Sequence, residues 1–299
     1  MRPLDTQPAT PFWPAVLLAT AALLTACSEP PPSSPSTGSV PTAVSAGDGT
    51  PVILISVDTL RSDRLPAYGY SAGSTPAIDA LRADGVLFER AWSPVPLTLP
   101  AHVTMLTGLL PNAHGVRDNV GYTVQLDLGA DLVGRLNRLG YRTGAGISAY
   151  PLSRQVGFGD GFEHFDDTTF RPELGPEGLE RAGDQTLAWS QPWLSEVSAA
   201  GAPFFFFFHL YEPHAPYEPP PPFAERFDDP YDGEIAAADA IVGQLLETLR
   251  DTGVYDRALV ILVSDHGEGL GAHGEEEHGL LLYREALQIP LIVKFPEGR

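Results

Sequence analysis

A single cysteine, Cys27, in 299 residues excludes any disulfide within the chain, so the fold must stand on packing alone. Basic residues are scarce: 18 Lys and Arg face 38 Asp and Glu, a net charge of −20. That field repels nucleic acid and anionic membrane surfaces and argues against both as partners, whereas a cation held among clustered carboxylates fits it. Long apolar runs are also missing, since residues 15–26 (AVLLATAALLTA) are too few for a helix that crosses a bilayer. No internal repeat is visible. With 43% hydrophobic residues, the chain suffices for one full-sized α/β domain with a buried core, and a second large domain is not expected.

The short apolar run suits the h-region of a secretion signal. It ends in Leu24-Thr25-Ala26-Cys27, which resembles the bacterial lipobox, in which the cysteine is lipidated and becomes the new N-terminus. Residues 28–50 are rich in Pro, Ser, Thr and Gly and read as a disordered tether. The expectation is a domain over 51–299, lipid-anchored through Cys27 in the bacterial cell envelope and facing the periplasm or the exterior. The sequence carries no signal of oligomeric state.

From Pro51 onward, apolar runs alternate with helical spacing. Strands are predicted at 51–57, 86–91, 143–147, 203–208, 259–263 and 289–295, and helices at 75–84, 99–107, 130–139, 179–199 and 233–251. The pattern predicts an α/β fold, a mostly parallel sheet with helices on both faces. In such sheets ligands bind beyond the carboxyl ends of the strands. Two strands end there in acids: PVILISV runs into Asp58, and ALVILVS runs into Asp265-His266-Gly267. Between them, Pro100 early in a helical stretch and Gly108 just past it place Thr98 at or near an N-cap, where backbone N–H groups favour an anion. A hydroxyl beside a metal there would serve as an activated nucleophile. His273 and Glu275–Glu277 read as a solvated loop face, and Arg61 with Asp63 as residues that order the first loop.

Six stretches in order, VDTLRSDRLPAYGY, TPAIDALRADGVLFERAWS, PLTLPAHVTMLTG, HGVRDN, HLYEPHAPYEPP and SDHGEGLGAHGEEEHG, together resemble the sulfatase branch of the alkaline phosphatase superfamily. The resemblance implies an α/β/α sandwich and a hydrolase of sulfate or phosphate esters. It implies Asp58, Thr98, Asp265 and His266 as metal ligands and Thr98 as nucleophile. Asn119 would be an amide donor to the ester oxygens, His214 a substrate-contacting residue, and His278 a group near the leaving oxygen. Typical members carry a cysteine or serine converted to formylglycine in Cys/Ser-x-Pro-x-Arg. Here the motif reads Thr98-Leu99-Pro100-Ala101-His102, so formylglycine cannot form and His102 takes the arginine's place as a further catalytic candidate. Thr59 stands where a second Asp would follow Asp58.

Two carboxylates, one hydroxyl and one imidazole suit one divalent ion. The imidazole shifts the balance from calcium or magnesium towards manganese or zinc. A two-zinc site would need further ligands; His102, His209, His214 and His278 are available, but no matching extra carboxylate is. The substrate that the resemblance implies is a small-molecule, glycan or lipid ester. Two other readings are a phosphoethanolamine- or phosphoglycerol-type transferase, and a non-catalytic lipoprotein that binds an anionic glycan or lipid headgroup. The resemblance also implies further strands and a smaller C-terminal subdomain after the strand at 289–295, so the chain is expected to be part of a longer product.

Overall fold

The computed structural model describes residues 49–125, 130–167, 170, 175 and 178–298. Cys27, the signal segment and residues 28–48 of the tether lie outside them. Among the described residues, no helix is long and apolar enough to cross a membrane. The strands are β1 (Val52–Val57), β2 (Val86–Leu87), β3 (Ala91–Trp92), β4 (Arg142–Gly146), β5 (His164–Asp166), β6 (Phe204–Leu210), β7 (Leu259–Val263), β8 (Gln288–Ile289) and β9 (Leu291–Lys294). The helices are α1 (Pro76–Ala83), α2 (Thr98–Thr107), α3 (Pro111–His114), α4 (Leu132–Arg138), α5 (Gly183–Ala199), α6 (Phe223–Arg226), α7 (Pro230–Asp251) and α8 (Arg284–Leu287).

Seven strands form one sheet in the order β2-β9-β7-β1-β6-β4-β5, and β3 pairs with β8 separately. β7, β1, β6, β4 and β5 run parallel, whereas β9 is antiparallel to β7 and β2 antiparallel to β9. The parallel core matches the expected α/β sheet. The predicted strand at 86–91 is instead two short pieces in different sheets, because β2 and β3 pair with β9 and β8 on either side of Pro290. β5 was not predicted; a three-residue strand has too little pattern to read.

Side chains on successive strand residues point to opposite faces, and each face is buried by its own helices. Ile53, Ile55, Val57, Phe204, Phe206 and Phe208 pack with α1, α5 and α7. Leu54, Phe205 and Phe207 pack with α2 and α4 on the other face. The result is an α/β/α sandwich. All of β6 (FFFFFHL) is buried, and burial of each phenyl ring contributes roughly 1.5–3 kcal/mol. The central strand is thus firmly fixed, and with it the position of the histidine that follows the fifth phenylalanine. Close layer contact also demands Gly144, where a Cβ would lie 2.7 Å from the Trp193 ring of α5.

Helix boundaries shift for identifiable reasons. α7 starts three residues earlier than its apolar spacing indicated, because Asp229 caps it by accepting from Tyr231 N at 3.1 Å with Pro230 at the first position. α5 starts at Gly183, since Glu180 is tied to Ala149 in a β-bridge.

Candidate functional site

Parallel register sets the carboxyl ends of three adjacent strands level with one another. Ser56 of β1 lies opposite His209 of β6 and opposite Val263 of β7. Asp58 therefore stands beside the turn Ser264-Asp265-His266 although more than two hundred residues separate them. The turn after β1 is held in a costly conformation: Thr59 has φ 53°, in the left-handed region that non-glycine residues avoid. Its N–H reaches Asp265 Oδ1 at 3.3 Å, its carbonyl accepts from the Tyr231 hydroxyl at 2.7 Å, and Leu60 N–H donates to Ser264 Oγ at 3.0 Å. Arg61 orders this loop as expected, clamping Asp63 at 2.8 and 2.9 Å, and it also donates to the Glu268 carbonyl at 3.1 Å. On the β7 side, a Cβ at Gly267 would fall 1.9 Å from the Glu285 carbonyl oxygen, so only glycine fits there.

Asp58, Asp265 and His266 are each fully buried and bring one ligand atom apiece to within 4.8 Å of one another. His266 Nε2 lies 3.6 Å from Asp58 Oδ1 and 3.3 Å from Asp265 Oδ2. Those three atoms have no hydrogen-bond partner. His266 Nδ1 donates to the Gly267 carbonyl at 2.9 Å, which places the ring proton on Nδ1 and leaves a bare lone pair on Nε2. Three unpartnered donor atoms, two anionic and one imidazole, fit a divalent ion.

The electrostatics agree with that fit. Burial raises Asp58, and burial followed by the charge of Asp58 raises Asp265 to about 7. Burial drives His266 well below its ordinary value. Two carboxylates sealed together without a cation hold on to protons, and a divalent charge between them reverses that preference.

Thr98 is the first residue of α2 rather than its N-cap, a position taken by Leu97. Its Oγ1 lies 3.5 Å from Asp58 Oδ2. The backbone N–H groups expected to receive an anion are mostly spent. Leu99 N–H donates to Asn119 Oδ1 at 2.8 Å, Pro100 has none, and Ala101 N–H bonds the Leu97 carbonyl at 3.1 Å. Asn119 thus caps the helix from outside it. Because its carbonyl faces the Leu99 N–H, its NH2 remains a donor, the role the resemblance implied.

His102 is corrected from catalytic candidate to internal brace. Both ring nitrogens are engaged, Nδ1 with the Thr98 carbonyl at 2.7 Å and Nε2 with Ser56 Oγ at 2.8 Å, and the ring is fully buried. A carbonyl only accepts, so the proton is on Nδ1 and Ser56 donates to Nε2. Burial lowers this histidine to about 4. Neither nitrogen is left for the Thr98 hydroxyl.

His214 and His278 stand together at the mouth, with ring centroids 5.0 Å apart, and His278 lies 4.4 Å from the His266 ring. His214 stacks on Tyr211 at 4.3 Å, and its Nδ1 is held by the Ala215 carbonyl at 2.7 Å. His278 Nδ1 bonds Glu268 Oε1 at 3.0 Å. Burial opposes a charge on His278, but the Glu268 carboxylate outweighs it and raises the pKa. Glu268, fully buried, was missed in the sequence. Its signal was an acid three residues after Asp265 in a glycine-bracketed turn. His209 was noted only as available, and it is fully buried behind Asp58.

The loop beyond is exposed at His273, Glu276 and Glu277, as its composition indicated. His273 is stacked on Tyr283 at 3.7 Å and paired with Glu285. Glu275 is buried and accepts from Leu280 N at 2.8 Å.

The family profile described as Sulfatase matches residues 50–299. The chain is 23% identical to an arylsulfatase of Clostridium perfringens over 82% of its own length and 68% of that protein's. It is 25% identical to the uncharacterized sulfatase YidJ of Escherichia coli over 82% of its length and 63% of the relative's. Against human arylsulfatase A it spans 52% of the relative, so the match covers between half and about two thirds of these proteins. The crystal structure of the phosphonate monoester hydrolase of Agrobacterium radiobacter superposes with a TM-score of 0.68 at 22% identity, covering 84% of this chain and 70% of that one. The alkaline-phosphatase-like α/β fold is thereby shared.

Proposed function

The chain belongs to the sulfatase family, and from that premise we propose that it is a metal-dependent hydrolase of sulfate or phosphate esters in which Thr98 is the nucleophile. The observation that carries this reading is the Thr98 hydroxyl, 3.5 Å from Asp58 Oδ2, beside three buried ligand atoms that have no partner. Asp58, Asp265, His266 and the Thr98 oxygen would hold a divalent ion, which would supply positive charge to the ester oxygens and favour the deprotonated form of the hydroxyl. Manganese or zinc suits this donor set through its imidazole.

The chain's own groups do the rest. Thr98 Oγ1 bonds to the central atom of the ester in line with the departing oxygen, and Asp58 Oδ2 is the nearest acceptor for its proton. Asn119 Nδ2 donates to an equatorial oxygen, its carbonyl being occupied by Leu99 N–H. His214 presents Nε2, its Nδ1 being occupied by Ala215. His278, whose pKa Glu268 raises, protonates the leaving alcohol as its bond breaks. Water then gives a proton to the now neutral His278 as its oxygen attacks the central atom, and the Thr98 oxygen departs and takes its proton back from Asp58, releasing the inorganic product.

The choice between sulfur and phosphorus follows from threonine. A formylglycine hydrate expels sulfate by collapsing to an aldehyde; a threonyl sulfate has no such exit and must be attacked again at sulfur. A threonyl phosphate is opened by a second in-line attack of the same kind as the first. We expect turnover of 4-nitrophenyl phosphate or a bis-phenyl phosphate to exceed that of 4-nitrophenyl sulfate when the three are assayed side by side with added manganese or zinc. A preference for the sulfate would overturn this substrate order.

We propose further that Cys27 is lipidated and holds the enzyme at a bacterial membrane, on the support of the Leu24–Cys27 lipobox. Cys27→Ser should move the protein from the membrane fraction to the soluble one. Retention of the variant in membranes would remove the anchor assignment.

A further inference from the structure

We propose that His209 is a positioning residue for the metal centre, which turns Asp58 so that Oδ1 faces the ion while Oδ2 is held from behind. This rests on the metal-ligand reading of Asp58.

The strand pattern delivers it. In β6 the residues facing α2 and α4 are Phe205, Phe207 and, two further on, His209. Ser56, directly opposite on β1, shares that face, and Asp58 follows it by the same two-residue step. The His209 ring packs edge-on against His102 of α2 at 5.0 Å and stacks with Phe207 at 6.3 Å, contacts that restrict its swing.

The ring's hydrogen bonds then settle which nitrogen carries the proton. Ser148 N–H donates to Nδ1 at 3.4 Å. A nitrogen that accepts has a free lone pair, so the proton is on Nε2. Nε2 faces Asp58 Oδ2 at 3.4 Å, without a hydrogen bond of regular geometry to it or to any other group. This is the reverse of His266, whose Nδ1 proton frees Nε2 as a ligand. Two histidines flank the same carboxylate with opposite tautomers: one offers a lone pair to an ion, and the other offers an N–H to the oxygen turned away from it. His209 is for the same reason not a ligand, since its only free nitrogen bears hydrogen. An N–H directed at Oδ2 from that distance favours the carboxylate rotation that leaves Oδ1 as the ligand atom, the arrangement by which groups behind a metal site raise its affinity.

The test uses the whole chain. Nitrogen-15 imidazole spectra of the metal-free protein at neutral pH, with the His209 signals identified by their loss in His209→Gln, should show a protonated Nε2 and a bare Nδ1. The opposite tautomer would overturn the proposal, and this measurement stands even if the protein binds no metal, an outcome that would defeat the metal reading alone. Titration with manganese should then show affinity lowered about 10- to 100-fold in His209→Leu and largely restored in His209→Gln, whose amide can donate to Oδ2. Unchanged affinity in His209→Leu would refute positioning. Complete loss in His209→Gln with its fold intact would make His209 a ligand and refute it equally.

Discussion

Thr98→Ala is expected to lower turnover of the preferred aryl ester by ~10³-fold or more while leaving the protein folded. The two halves of that statement have separate causes. Activity falls because the hydroxyl is the atom that bonds to the ester centre, while the neighbouring Ser56 is committed to His102 and Ser264 donates to the His266 carbonyl. The fold survives because Thr98 supplies no cap to α2. The hydrogen-bond contact of its side chain is with Asp58, and the start of the helix is closed by Asn119 through Leu99 N–H. Removing a hydroxyl whose closest acceptor is at 3.5 Å should cost little stability. Thr98→Ser should keep a substantial part of the rate, since it retains the oxygen. Kinetics on the best of the three aryl esters, with thermal melts of each variant, provide the check. If Thr98→Ala turned over at the parent rate, threonine would not be the nucleophile and water would have to attack directly.

The second large effect concerns the ion. Asp265→Asn combined with His266→Ala should abolish stoichiometric binding of one divalent ion per chain, because it removes two of the three unpartnered ligand atoms. In the parent, saturating metal should raise the melting temperature: a ligand at a hundred times its dissociation constant stabilises by about 2.7 kcal/mol, and here it also relieves the repulsion between Asp58 and Asp265. The double variant should lose that rise. The parent's affinity should also depend on pH in one direction. Burial and the neighbouring Asp58 hold the metal-free Asp265 at about 7, so below that value an ion must displace a proton. Affinity should therefore weaken steadily as pH falls through neutrality and level off above it. Elemental analysis of the purified proteins and calorimetric titration across that range measure both effects. A full complement of metal in the double variant would place the ion elsewhere.

Much of the fold and part of the site are local properties of the sequence. Five phenylalanines in a row or VILISV before an acid define a strand and its end without reference to anything distant, because burial on both faces requires an unbroken apolar run. The strand ends therefore identified Asp58, Asp265 and His266, and the helix signals around Pro100 and Gly108 located Thr98. Sequence also settled that no disulfide supports the domain and that its charge favours a cation. The roles of the individual atoms were decided only when distant segments met. Asn119 became a helix cap by reaching Leu99 from outside α2, and His102 lost its catalytic role once Ser56 and the Thr98 carbonyl took both its nitrogens. Glu268 acquired His278, and His209 and His266 took opposite tautomers from one backbone N–H and one carbonyl. The antiparallel placement of β9, which divides 86–92 between two sheets, was likewise invisible in a short apolar run. The physical reason is the same in each case: apolar periodicity is set by burial and is written along the chain, whereas the hydrogen-bond partner of a buried polar atom depends on strand register between segments that the sequence keeps far apart.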